Sequence, residues 1–289
     1  MKTGKKPAWL KINFPSHHNF FYVSNILKKH NLSTICQSAK CPNISECWSQ
    51  KTATFLILGD TCSRACSFCA VKKGVPSLPS EDEPDRIAEA VSALDLNYIV
   101  ITSVTRDDLP DGGASLFAKT IKVVKERKPG AKVEVLIPDF QGSEEALDKV
   151  IQAEPDVINH NIEAVEAIYP EINRPIENYQ RSLTVLKILK MKGAVTKSGL
   201  MLGLGERRKE IIQTFSDLRS AGCDFLTIGQ YLQPTRLNVL LKKYYSPLEF
   251  YQLKNIALDF GIFNVEAGPL VRSSFGAYKM YQSLQTREH

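Results

Sequence analysis

Residues Ala53–Val71 read ATFLILGDTCSRACSFCAV: an apolar run that stops at Gly59, followed by three cysteines, Cys62, Cys66 and Cys69. The run Ala53–Leu58 has the length and side chains of a buried strand. Five more apolar, β-branched runs follow, at Tyr98–Thr102, Lys132–Ile137, Val157–Asn161, Val195–Leu202 and Phe225–Ile228. Most lead into helical periodicity, over Pro84–Leu94, Ala114–Arg127, Ser143–Ala153, Tyr179–Met191 and Glu206–Ala221, with Pro near the first start and Gly after two ends. Six strand-then-helix units predict an α/β fold with a parallel sheet. A doubly wound sheet is expected to show a glycine fingerprint after its first strand, and this one runs into Gly59, Asp60, Thr61 and the cysteines instead. A partial barrel is the better reading, and in either architecture the reactive groups belong at the carboxyl ends of the strands.

The rest of the composition narrows the class. A chain of 289 residues with 43% hydrophobic content has enough apolar material for a sizeable core. No apolar run approaches the roughly 20 residues of a membrane span. Residues 1–40 hold seven lysines and no Asp or Glu, but lack the apolar core and cleavage site of a signal peptide and the arginines of a transit peptide. With aromatics such as Trp9, Phe14, Phe20 and Phe21, this stretch reads as a folded arm of a cytoplasmic protein, self-packing with Trp9 in a groove or offering charge to an acidic partner. The net charge of +6 is moderate and acids are interspersed after Glu46, so nucleic acid is not among the partners we read from it. Neither repeats nor low-complexity tracts occur.

Six of the seven cysteines fall between Cys36 and Cys69, which is clustering rather than stapling. Cys62, Cys66 and Cys69 lie in a loop at the presumed active face. Three thiolates hold three irons of a [4Fe–4S] cubane and leave the fourth iron open to a small molecule. The alternative is half of a zinc site on Cys66 and Cys69, for which a partner pair is missing. Cys36, Cys41 and Cys47 form a second triad, spaced four and five residues apart. Six thiolates exceed what one cubane needs, so two clusters are more economical, the second in want of a fourth ligand. Cys223, beside Gly222 and ahead of Phe225, reads as a buried inert thiol.

The two spacings together, C-x4-C-x5-C then C-x3-C-x2-C, resemble the lipoyl synthase family of radical S-adenosylmethionine (SAM) enzymes. The likeness extends over Ala53–Val71, Ile99–Gly113 (IVITSVTRDDLPDGG), Asn159–Glu163 (NHNIE), Thr196–Glu206 (TKSGLMLGLGE), Leu226–Thr235 (LTIGQYLQPT) and Gly268–Ser274 (GPLVRSS). It thus covers nearly the whole chain after residue 35. What the resemblance implies is a partial (β/α)6 TIM-like barrel of the radical SAM type over residues 52–262, with an N-terminal extension (1–51) carrying the auxiliary cysteines and a C-terminal one (263–289) carrying the Arg-Ser-Ser sequence. It implies a catalytic cluster on Cys62, Cys66 and Cys69 whose open iron chelates SAM, cleaved to methionine and a 5′-deoxyadenosyl radical. It implies an auxiliary [4Fe–4S] cluster on Cys36, Cys41 and Cys47, with Ser274 as fourth ligand and Ser273 as second choice. A hard alkoxide is a poor match for a durable cluster and is readily protonated and lost, which suits a cluster consumed as the sulfur donor. Without the upstream triad, Arg272, Ser273 and Ser274 would read as an ordinary polar turn.

The implied substrate is an octanoyl chain on a lysine of a lipoyl carrier, such as an acyltransferase-subunit lipoyl domain or the glycine cleavage H protein, sulfurated at carbons 6 and 8. A reduced ferredoxin or flavodoxin is the implied electron donor, and the implied state is a monomer. Strand parity puts Asn159, Asn161 and Glu163 on one face and Lys197, Gly199 and Met201 on another. If those faces point inward, the resemblance assigns them, with Phe68 and Thr102, to SAM. The alternatives are a solvated Glu163, a strand-end Lys197 and a Phe68 that anchors its loop in the core. Asp111-Gly112-Gly113 lets backbone approach a cofactor, or merely turns. Gly203-Leu204-Gly205 reads as a tight turn. His17, His18, His30 and His160 read as structural, and Asp107, Asp108 and Glu206 suit charge pairing as well as catalysis. The chain departs from the family pattern at Phe275 and Gly276, where Tyr and His are usual, and around Leu237 and Asn238, where a His usually follows Gln-Pro-Thr. Two rivals are a methylthiotransferase-like sulfur inserter, which usually carries an added RNA-binding domain, and a zinc-stabilised basic binding module.

Overall fold

The structure, a computed structural model, describes residues 6–12 and 17–285. Phe14, one of the aromatics expected in the N-terminal arm, lies outside them. The chain forms two compact units: Ile12–Ala65 with Ala70–Ile158, and Met1–Lys11 with Cys66–Cys69 and Asn159–His289. Among the described residues no helix is long and apolar enough to cross a membrane.

The first unit opens with α1 (His18–Lys29), which buries Val23 and Leu27 and sets Phe20 5.1 Å from the Trp48 ring. Strand β1 (Thr54–Ile57) follows, then α2 (Glu83–Leu94), β2 (Tyr98–Ser103), α3 (Ala114–Arg127), β3 (Lys132–Leu136) and α4 (Glu144–Ile151). β1, β2 and β3 pair in parallel, with Thr54 opposite Val100 and Tyr98 opposite Lys132, and Ser33–Thr34 adds an antiparallel edge to β1. All four residues of β1 are buried, as a parallel strand covered on both faces requires. Local chemistry sets the helix ends. Pro84 sits in the first turn of α2, Asp95 ends it in the left-handed region, and Ser143 caps α4 through the Ala146 amide. α2 packs on α3, and α3 on α4.

β4 (Val157–Asn159) is the strand at which the chain passes into the second unit. There α5 (Glu177–Met191), β5 (Thr196–Leu202), α6 (Arg208–Ser220), β6 (Phe225–Gln230), α7 (Pro247–Asp259), β7 (Asn264–Gly268) and α8 (Ala277–Gln285) alternate, and β5, β6 and β7 are parallel neighbours. Beneath them Tyr169, Tyr179, Phe215 and Phe250 are fully buried in one apolar core. The sequence reading ended at the sixth strand. β7 is a seventh, and it escaped because Asn264-Val265-Glu266-Ala267-Gly268 has a single β-branched residue. Its helix α7 starts with a full capping box, in which Ser246 accepts from the Glu249 amide and Glu249 from Ser246, ahead of Pro247.

Two boundaries also differ. β4 was expected to reach Asn161, but Glu163 takes a left-handed φ of 64° and the chain leaves regular pairing after Asn159. Glu206 was expected to start α6, yet its carboxylate accepts the Gly203 and Leu204 amides at 2.7 and 2.9 Å, closing the tight turn read at Gly203–Gly205. The arm is anchored differently from expectation: Trp9 is 44% exposed, and its neighbour Leu10 is the buried residue.

Candidate active site

At the end of β1, Leu58 and Gly59 both take positive φ, and the Leu58 amide donates to the buried Glu83 carboxylate at 2.9 Å. Burial pushes the Glu83 carboxyl up. The Leu58 side chain fills the space where a Cβ on Gly113 would stand, 2.2 Å from its Cδ1. Gly112 makes room in the same way for Phe140. These two glycines therefore make room for packed side chains.

Beyond Gly59 the chain carries Cys62, and a set of bonds ties this part of the loop to the ends of β2 and β3. The Ser63 amide and hydroxyl both donate to Thr105 O at 3.0 Å, and the Asp107 amide donates to Ser63 Oγ. The Arg64 amide donates to Cys62 Sγ at 3.4 Å. The Arg64 guanidinium grips two carboxylates at once: Nε and Nη2 on Asp107 at 2.6 and 2.8 Å, Nη1 and Nη2 on Asp139 at 2.9 and 2.7 Å. Burial alone would lower the Arg64 pKa, but the bonds and charges of Asp139 and Asp107 outweigh it and raise it. Asp107 is thus a structural partner, as is Asp108, held below the usual carboxylate range by its bond from Arg106. The sequence singled out neither Arg64 nor Asp139. The only available signal was the position of Arg64 between the first two cysteines.

The upstream triad belongs to the same unit. Cys36 is buried in the short helix Ile35–Ser38, Cys41 follows it, and Cys47 lies in the helix Ile44–Ser49. Burial raises the Cys36 pKa, with the charge of Cys41 adding to it. The Cys47 thiol is pushed up to about 12 by burial, then by the charges of Cys36, Cys41 and Glu46. The three thiols are therefore close enough to oppose one another's ionisation, a donor set that fits a polycationic partner. None of the seven cysteines is in a disulfide. Among the described residues no three His, Cys, Asp or Glu converge as ligands of one ion would. A cubane makes no such demand, since its cysteines bind separate irons.

In the second unit Cys66 and Cys69 are joined by a turn in which the Cys69 amide donates to Cys66 O, and the Ser67 amide donates to Ile172 O. Phe68 packs against the unit's apolar core, as does Met201. Beside them, His160 Nε2 lies 3.0 Å from Ser182 Oγ of α5. Asn159 is fully buried, and neither its Nδ2 nor its Oδ1 has a hydrogen-bond partner among the described residues. An orphaned buried amide costs about 1–3 kcal/mol, so this position is suited to a polar ligand. Asn161 Oδ1 accepts from Ser273 Oγ at 3.0 Å, and the Asn161 side chain also bonds the Glu163 carboxyl. Burial raises the Glu163 pKa against the opposing charge of Arg174. Glu163 is thus no solvated helix start: its backbone pairs alongside β5, bonding Gly199 and Met201. Lys197 is fully buried. Thr102, in the first unit, donates its hydroxyl to Leu136 O. Cys223 is buried, with Sγ 3.0 Å from Phe225 O, and burial raises its pKa. His17 caps α1 and His30 pairs with Glu89, so both are structural.

Comparison with known proteins places this fold. The family model of the radical SAM superfamily matches residues 56–218. Among solved structures, the HydG maturase of FeFe-hydrogenase from Carboxydothermus hydrogenoformans superposes with a TM-score of 0.59 at 13% identity, covering 91% of this chain and 69% of that one. Methylornithine synthase superposes at 0.57 and 13%, over 73% of this chain and 63% of its own. The chain thus has the α/β fold of the radical SAM superfamily. Lipoyl synthase of Caldicellulosiruptor bescii is 52% identical over 275 residues, 94% of either chain, and that of Chlorobium chlorochromatii 50% identical over 276, 95% of this chain and 94% of its own. This chain belongs to the lipoyl synthase family. Its activity is radical SAM sulfur insertion, and a [4Fe–4S] cluster and SAM are its cofactors.

Proposed function

We propose that the chain converts an octanoyl-lysine on a lipoyl carrier protein to lipoyl-lysine, using one cluster on Cys62, Cys66 and Cys69 and a second on Cys36, Cys41, Cys47 and Ser274. When bound, the first cluster and SAM supply the radical that removes hydrogen from carbons 6 and 8, and the second supplies sulfide. The observation that carries the two-cluster reading is the second triad, with Cys36 and Cys47 in the two short helices before β1 and Cys41 between them, separate in sequence from the triad after β1. Ser274 is taken as the fourth ligand from its place in the Arg-Ser-Ser sequence, and Ser273 donates its hydroxyl proton to Asn161.

The chain's own residues bind and orient. Asn159 offers an unspent amide, Asn161 and Glu163 form one hydrogen-bonded polar surface, and Lys197 and Met201 lie on the β5 face that carries Gly199. We assign these residues, with Phe68 and Thr102, to SAM. Gly199 is the close-approach position, since a Cβ there would stand 2.6 Å from Asn161 Oδ1 and 3.0 Å from Ser273 Oγ. Gly199→Ala should therefore weaken SAM binding roughly tenfold or more, the equivalent of overpacking by about 1–3 kcal/mol. Equilibrium binding to the reconstituted protein reads this, and unchanged affinity would remove Asn161 from the SAM site. The functional parts follow as residues 1–51, 52–262 and 263–289. The carriers are acyltransferase-subunit lipoyl domains and the glycine cleavage H protein, reduced ferredoxin or flavodoxin gives the electron, and the enzyme works as a cytoplasmic monomer.

Iron and acid-labile sulfide analysis on protein reconstituted without oxygen tests the reading. About eight of each per chain is the expected content for two cubanes. About four would leave the sulfur source unassigned, and zinc without iron would replace the enzyme by a binding module.

A further inference from the structure

The loop after β6 runs Gln233-Pro234-Thr235-Arg236-Leu237-Asn238 and includes one of the places where the chain departs from its family's pattern. Leu237 is 97% exposed, but Asn238 is 9% exposed. The Asn238 amide Nδ2 donates to two backbone carbonyls, Ser67 O and Cys69 O, both at 3.0 Å. The next amide, of Val239, also donates to Ser67 O at 3.0 Å. The carboxamide is locked in this orientation from behind. Thr235 Oγ1 donates to Asn238 Oδ1 at 2.7 Å, and Gln233 Nε2 donates to Asn238 O at 2.9 Å. Thr235 Oγ1 in turn accepts the Leu237 amide at 3.2 Å. With Oδ1 taken by a hydroxyl donor, only the NH2 end of Asn238 faces the two carbonyls.

We propose that Asn238 is a positioning residue for the turn Cys66–Cys69, holding the backbone on either side of Phe68 so that the two thiolates keep the spacing their cluster requires. The inference rests on the reading of Cys66 and Cys69 as cluster ligands. Asn238 reaches neither sulfur. It clamps the carbonyls of Ser67 and of Cys69 itself, and so fixes the peptide plane one residue beyond the second ligand and the plane that directly follows the third. Partners that orient a metal's ligands without touching the metal commonly set affinity about 10–100-fold.

An isosteric exchange isolates the effect. Asn238→Asp keeps volume and keeps the Thr235 bond, but turns a carboxylate oxygen toward two carbonyls that need a donor. The test uses the full chain with Cys36, Cys41 and Cys47 changed to alanine, so that iron reports only on the remaining triad. It is loaded anaerobically with iron and sulfide. Two quantities are read: iron release to a ferrous chelator, and SAM affinity from the shift of the reduced-cluster electron paramagnetic resonance signal. Asn238→Asp should release iron about tenfold faster and bind SAM correspondingly more weakly. Thr235→Val, which frees the carboxamide to rotate, should release iron about threefold faster and stands in if the Asp variant does not fold. Release and SAM affinity within twofold of the parent in the folded variants overturn the proposal, as does a change in apoprotein melting alone, which a merely structural residue would give. A parent chain that takes up no iron on Cys62, Cys66 and Cys69 overturns the functional reading itself, whatever the variants do.

Discussion

Cys62→Ala should reduce SAM cleavage by roughly 10³-fold or more, as loss of one member of a group acting as a unit does. Cys36→Ala should leave cleavage within about twofold of wild type if, as proposed, the two triads hold separate clusters. The same Cys36 variant should form no lipoyl product. The asymmetry follows from what each triad faces. Cys62 is tied by its own loop to the ends of β2 and β3, with the Arg64 amide on its sulfur. Cys36 and Cys47 sit in two short helices before β1, where their ionisation is opposed by one another and by Cys41. Chromatographic measurement of 5′-deoxyadenosine and of lipoyl-peptide on the same samples separates the two activities. Equal loss of cleavage in both variants would refute separate roles.

The second large effect is on stability. Arg64→Met should destabilise the protein by about 3–5 kcal/mol, the usual result of removing one partner from a buried pair. The cost lies mainly with Asp139, whose side chain is fully buried. Asp107 is 31% exposed and recovers water. Arg64→Lys should lose about 1–2 kcal/mol, since an ammonium cannot bridge both carboxylates in two forks. Adding Asp139→Asn to the Met variant should restore part of the loss by removing the stranded charge. Denaturant unfolding of the apoprotein reads all three. A loss under about 1 kcal/mol for Arg64→Met would mean that Asp139 finds another partner or takes up a proton.

How much was legible before the structure differs from place to place. The six expected strands all form within a few residues of their predicted bounds, because buried parallel strands and capped amphipathic helices announce themselves locally. β7 did not announce itself: a strand of mixed polarity is recruited by its neighbour β6 rather than by its own pattern. Parity predicts Asn159 and Asn161 on one face, and the structure adds that the side-chain amide of Asn159 has no hydrogen-bond partner among the described residues. Gly112 and Gly113 read as backbone that approaches a cofactor or merely turns, and the structure shows that their missing side chains leave room for Phe140 and Leu58.

The sequence by itself determined the class of fold, the two cysteine triads and the family, since each is carried by spacing along the chain: period, caps and the interval between thiols. Only the tertiary structure decided what holds those cysteines and their neighbours. Arg64 meets Asp107 and Asp139 across 43 and 75 residues, Asn161 meets Ser273 across 112, and Asn238 meets Ser67 across 171. No periodicity links such pairs. Their partners are chosen by which strand ends the fold brings together and by the few directions a rotamer allows, and a polar group buried there must find its partner in space rather than in sequence.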